Sequence, residues 1–248
     1  MPYASPAGPY VLASHGTHSP VGRACIRALT TAVRLRRPDI EFADAFVSVQ
    51  SPTSDDVVRA LSSPSRRITI VPVLLSTGYH VQVDLHRAAD AAPGTTLTQP
   101  LGPDPRLVEV LARRLTDAGL HPDDERAVTI ADAGSRNLAA QRDVNAMAGL
   151  LARRLGRPVT ASHATAAAPL TSDLARGAHQ EGRRLAVASY LLAPGHFADR
   201  LSTSGADLVT LPLIPPAAAD DPGAVPEELI DLVLHRAGLR ETAQTLSA

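Results

Sequence analysis

Short apolar runs alternate along the chain with turns and with amphipathic stretches of helical period, a rhythm that predicts βα units built around parallel sheets. In the first half, strands are expected near residues 10–14, 45–49, 68–75 and 96–98, with helices near 20–35, 54–61, 81–91 and 104–116. Ser19-Pro20 and Asp104-Pro105 each set a capping side chain before a proline at the first helical position. Leu107, Val108, Leu111 and Leu115 then recur at helical spacing, which gives one apolar face to pack on a sheet. The second half repeats the plan, with strands near 127–131, 159–161, 184–192 and 207–210 and helices near 137–155, 170–180, 197–202 and 226–237.

The repetition extends to residues. Ala13-Ser14-His15-Gly16-Thr17 aligns with Ala131-Asp132-Ala133-Gly134-Ser135, a shift of 118 from Gly16 to Gly134. Leu74-Leu75-Ser76-Thr77-Gly78 aligns with Leu191-Leu192-Ala193-Pro194-Gly195, a shift of 117 from Gly78 to Gly195. Two segments in nearly one register, both where a strand should end, indicate an internal duplication. The polar, turn-rich stretch His121-Pro122-Asp123-Asp124 sets the expected boundary, giving domains 1–122 and 123–248.

Composition narrows the function. Aromatics are 3% with no Trp, too few to build a stacking platform for single-stranded nucleic acid. Twenty-four Lys and Arg against 25 Asp and Glu give a formal net charge of −1, so there is no basic surplus for a phosphate backbone or an anionic membrane. Cys25 is the one cysteine, which excludes an intramolecular disulfide, a thiolate zinc cluster or an iron–sulfur site in a monomer. The N-terminus does not read as a secretory signal, and no apolar run approaches the ~20 residues that span a bilayer. A cytoplasmic monomer acting on a small molecule is the expectation.

In open parallel α/β sheets the ligand crevice lies beyond the carboxyl ends of the strands, where the repeated segments fall. There the first half carries Ser14-His15-Gly16-Thr17-His18 and Gly78-Tyr79-His80. His15 and His80 can meet at one sheet edge as a site for a divalent metal, since imidazole suits iron, cobalt, nickel and zinc. A lone histidine is more often a surface or capping residue; two on equivalent loops argue otherwise. In the second half Ala133 replaces His15, and Phe197 falls opposite His80. His18 reads equally as a further ligand or an exposed residue. Asp84, four residues after His80, reads equally as an acceptor that orients the imidazole or as a helix cap. His196 follows Gly195 and can face the cleft from the second half, whereas His86, His121, His163, His179 and His235 read as surface or packing residues. No phosphate-binding loop and no Gly-x-Ser-x-Gly is present, so a nucleotide or serine-hydrolase reading has no anchor.

These residues resemble the class II chelatases of the CbiX/SirB type, which insert a metal into sirohydrochlorin. The likeness rests on His15-Gly16-Thr17, on Ala45-Phe46-Val47 with Pro52, and on Pro72 to Val81 with Asp84. Tyr190 to Gly195 with Asp199-Arg200 looks like a degenerate second copy. It implies two tandem chelatase-type domains related by a pseudo-twofold, each a four-stranded parallel sheet flanked by helices, around a tetrapyrrole cleft. It also implies that His15 and His80 bind the metal and catalyse, that Ser14, Gly16, Thr17, Gly78 and Tyr79 touch the tetrapyrrole, and that Fe²⁺ or Co²⁺ is a substrate with no organic cofactor. Sirohydrochlorin carries eight carboxylates, so arginines and helix N-termini should contribute to binding. The family often has an acidic residue after the second strand, where this sequence has Ser48. A hydroxyl is no substitute for a carboxylate as base or charged ligand, so His18, Asp44 or Asp84 takes its place, or the metal is delivered differently. A non-catalytic tetrapyrrole- or metal-binding protein of this fold is the alternative.

Overall fold

The computed structural model describes residues 8–239 and contains two four-stranded parallel sheets with the same strand order. The first is β2-β1-β3-β4, from β1 (Tyr10–Ser14), β2 (Phe42–Phe46), β3 (Ile68–Val73) and β4 (Thr95–Leu97). The second is β6-β5-β7-β8, from β5 (Ala127–Asp132), β6 (Val159–His163), β7 (Leu185–Ser189) and β8 (Leu208–Val209). Helices α1 (Pro20–Arg36), α2 (Ser54–Leu61), α3 (His86–Asp90) and α4 (Pro105–Asp117) belong to the first half. The second half holds α5 (Leu138–Leu155), α6 (Thr171–Gln180), α7 (His196–Ser202) and α8 (Glu227–Arg236). Among the described residues no helix is long and apolar enough to cross a membrane.

The central strands β1 and β7 are buried at every position, as expected where helices cover both faces. The caps read from the sequence form: Ser19 accepts from Gly22 N–H and Asp104 from Arg106 N–H, each ahead of a proline. Asn137 and Thr53 cap α5 and α2 in the same way.

Two elements depart from expectation. The second strand is Phe42–Phe46 rather than 45–49, because it is a half-buried edge strand whose polar Asp44 pairs with Arg34 at 2.9 Å, leaving only a faint apolar run. Residues 48–51 form a turn instead, with Val49 at φ +68°. The expected helix 81–91 begins as a π-helical turn, His80–Leu85, before continuing into α3.

The turn exposes the repeat more sharply than the sequence does. Val49 and Ala166, 117 positions apart, both have positive φ without being glycine. Gln50 N–H bonds Ser48 O, and Ala167 N–H bonds Thr165 O, each at 2.7 Å. Isolated parallel bridges follow at Phe46 with Thr53 and at His163 with Leu170.

One hydrophobic cluster runs through both halves, uniting Leu12, Val71 and Leu111 with Ile130, Met147 and Val233. Smaller clusters under α2 and α6 fill the outer faces of the two sheets.

Candidate metal-binding cleft

His15 leaves the end of β1 and His80 opens the π-helical turn after β3; β1 and β3 are paired neighbours in the sheet, with Ser14 opposite Val73. The imidazoles meet edge to face, with ring centroids 4.8 Å apart and planes at 84°. Their outer contacts settle which nitrogen is free. His15 Nδ1 lies 3.1 Å from Gly16 O and His80 Nδ1 lies 2.7 Å from Asp84 Oδ2. A carbonyl and a carboxylate only accept, so both Nδ1 atoms carry the hydrogen and each neutral ring keeps its Nε2 lone pair for a ligand. Desolvation pushes the His15 pKa down, a shift that the Gly16 carbonyl opposes and nearby His80 reinforces. The shift favours the neutral ring.

The loop below is shaped by backbone. Gly16 sits at φ +85°, and a Cβ there would lie 2.1 Å from Ser48 O, so only glycine fits. Ser48 N–H in turn donates to His15 O at 3.1 Å, which places Ser48 directly beside the loop that carries His15, though in a turn rather than on a strand. Thr17 N–H donates to the Gln50 side chain at 2.8 Å.

The remaining sequence candidates separate. Gly78 and Tyr79 lie on the loop leading into His80, with the Tyr79 ring 5.9 Å from that imidazole. Gly16 and Thr17 are half-buried on the other loop, while Ser14 is only 3% exposed beneath it and has no open surface to offer a ligand. His18 is exposed, and among the described residues no group of three or more His, Cys, Asp or Glu side chains converges on a metal position. Asp44 is committed to Arg34. Asp84 contacts His80 through Oδ2, and its second oxygen lies 3.4 Å from Arg87, which bonds Asp55 of α2 at 3.0 Å.

Of the two readings open for His163, surface or packing, the structure selects packing: it is 4% exposed, and its Nδ1 lies 2.5 Å from Asp132 Oδ1 at the ends of β6 and β5. The signal was present in its position at a strand end, but nothing in the sequence pairs it with Asp132.

The second half grips both histidine loops. Thr77 N–H donates to Asp143 Oδ2 of α5 at 2.7 Å, and Asn137 Nδ2 donates to Gln82 Oε1 at 2.7 Å, bracketing His80. On the other side, Gly22 lies so close to Pro194 O that a Cβ would come within 2.3 Å of it, and Gly195 packs on Thr17. His196 is exposed at the start of α7, next to that contact, with its ring 5.3 Å from Phe197. A cavity of about 480 Å³ lies behind the π-helical turn, lined by Thr77, Val81, His86, Gly102, Asp143 and Arg236 but by neither His15 nor His80.

The sequence profile of the CbiX family matches residues 9–118, the stretch that carries both histidines. Over that stretch, less than half of the chain, the protein is similar to the CbiX family. The fold around it is that of the chelatases: SirB from Bacillus subtilis with Fe³⁺ superposes with a TM-score of 0.73 at 19% identity, covering 94% of each chain. The CbiX described as the terminal enzyme of siroheme biosynthesis in denitrifying bacteria gives 0.59 at 23%, covering 87% of this chain and 97% of that one. A sirohydrochlorin ferrochelatase of Priestia megaterium is 28% identical over 162 residues, 60% of each chain. One from Bacillus subtilis (strain 168) is 30% identical over 114 residues, 43% of each. The aligned region therefore spans less than two thirds of either relative.

Proposed function

We propose that the protein is a sirohydrochlorin chelatase, inserting Fe²⁺ or Co²⁺ into the macrocycle. The carrying observation is the pair of imidazoles at the carboxyl edge of the first sheet, with both Nδ1 atoms tied down and both Nε2 atoms free. The ferrochelatase relatives and the CbiX match over residues 9–118 support the substrate class.

In this reading His15 and His80 hold the incoming ion through Nε2 while the tetrapyrrole lies between the loops at 15–18 and 78–80 and the facing loop at 194–196. Metallation releases two pyrrole protons as the metal–nitrogen bonds form. An imidazole that gives up its metal regains a lone pair, so His15 and His80 each accept one of the two protons and pass it on to solvent. Gly16, Thr17, Gly78 and Tyr79 shape the floor of the cleft. The chain acts as a monomer in the cytoplasm and draws on no organic cofactor.

The test is anaerobic mixing of the metal-free protein with sirohydrochlorin and Fe²⁺ or Co²⁺, followed by visible absorption. Turnover above the uncatalysed rate that vanishes in His15→Ala and in His80→Ala is expected. Full activity in both variants would sink the site assignment; tight binding of tetrapyrrole without turnover would select the non-catalytic reading, which the neutral Ser48 beside His15 favours.

A further inference from the structure

The loops that follow β1 and β5 share two tethering contacts. Ser19 N–H bonds Thr17 Oγ1, and Asn137 N–H bonds Ser135 Oγ, both at 3.1 Å and 118 positions apart. One turn into the following helix, a side chain reaches back to the same loop carbonyl. In the second half it is Gln141, whose Nε2 donates to Ser135 O at 2.8 Å; in the first it is Arg23, whose Nε donates to Thr17 O at 2.8 Å. Gln141 shows that a neutral amide suffices to tether the loop. The charge is kept only on the copy that also keeps the histidine.

Arg23 uses just one of its donors in that tether. Its two terminal nitrogens have no hydrogen bond or ion pair with any described residue, and its side chain is only half-buried. The guanidinium is thus fixed at its inner edge, two residues from His15 along the loop, with its outer fork open. A planar pair of N–H donors with one fixed edge matches a carboxylate.

On the basis of the proposed function, we infer that Arg23 binds a peripheral carboxylate of the tetrapyrrole and thereby sets the macrocycle against His15. Fixing Nε in advance lowers the ordering cost that a free surface arginine would bear on binding.

Arg23→Gln is the direct test, because it installs the tether the second half already uses and removes only the charge. Arg153→Gln, at an exposed arginine near the end of α5, removes the same charge remote from the cleft. In the full chain, Arg23→Gln should raise KM for sirohydrochlorin about 10-fold, with kcat within about twofold of wild type and Co²⁺ affinity unchanged. The rise should shrink at high salt and disappear for the esterified macrocycle. Arg153→Gln should behave as wild type. A KM within about twofold of wild type for Arg23→Gln, an equal rise in Arg153→Gln, or lost Co²⁺ binding in Arg23→Gln overturns the inference while leaving the chelatase reading intact. Wild-type protein that neither binds nor metallates sirohydrochlorin overturns both.

Discussion

Asp84 offers the sharpest test of how the site works. Its carboxylate lies 2.7 Å from His80 Nδ1 and is itself anchored toward Arg87 and, through it, α2. Asp84→Asn keeps the shape but replaces a charged acceptor with a neutral one, weakening the hydrogen bond that fixes the tautomer and raises the basicity of Nε2. Losses of such supporting carboxylates cost about 10- to 100-fold in metal affinity, about 1.4–2.8 kcal/mol. The pair is partly solvated, at 32% and 18% side-chain exposure, so the same change should cost global stability less than about 1 kcal/mol. Calorimetric titration with Co²⁺ measures the first quantity and urea unfolding the second. The decisive control is the double-mutant cycle: in a His80→Ala background, Asp84→Asn should have no further effect on Co²⁺ binding. An affinity unchanged by Asp84→Asn, or an equal loss with and without His80, would refute the orienting role.

Other expectations follow from the same contacts. Ser48→Glu brings a carboxylate beside His15, so Co²⁺ should bind more tightly while turnover stays level or falls; wild-type affinity would show that position 48 does not reach the ion. Tyr190→Phe removes the hydroxyl that donates to Leu75 O at 2.8 Å across the two halves, and should lower unfolding free energy by about 1–2 kcal/mol with an unchanged urea m-value. Burial would raise the Asp104 pKa, but hydrogen bonds from Arg106 and the charge of Arg236 outweigh it and hold the group below the ordinary carboxylate range. Its contribution is therefore present above the unfolded carboxylate pKa of about 4 and lost as pH falls through the lower folded value. The stability gap between wild type and Asp104→Asn should be widest near neutrality and narrow in acid, read by urea melts at each pH; a constant gap would count against it.

Much of this architecture was legible in the chain because parallel strands buried on both faces read as unbroken apolar runs, as at Tyr10–Ser14 and Leu185–Ser189. The edge strand lies at Phe42–Phe46 rather than 45–49 because one polar residue, Asp44, interrupts its short apolar run. His15 and His80 were legible through strand-end position and glycine neighbours. The Asp132–His163 pair and the Arg23 tether were not, because they depend on which side chains converge across a sheet or around a helix turn. The π-helical turn at His80 left no mark in the periodicity.

The single cluster joining Leu12 and Leu111 to Ile130 and Val233 has a consequence for how a bulky substrate comes and goes. Halves that share an interior are not free to swing apart like the shells of a clam, since that would flood their common core with water. Pro194 O against Gly22 and Tyr190 against Leu75 fasten the seam further. Hinge-like parting of the halves is thus disfavoured, and under the proposed function the tetrapyrrole enters and leaves through movement confined to the loop tips.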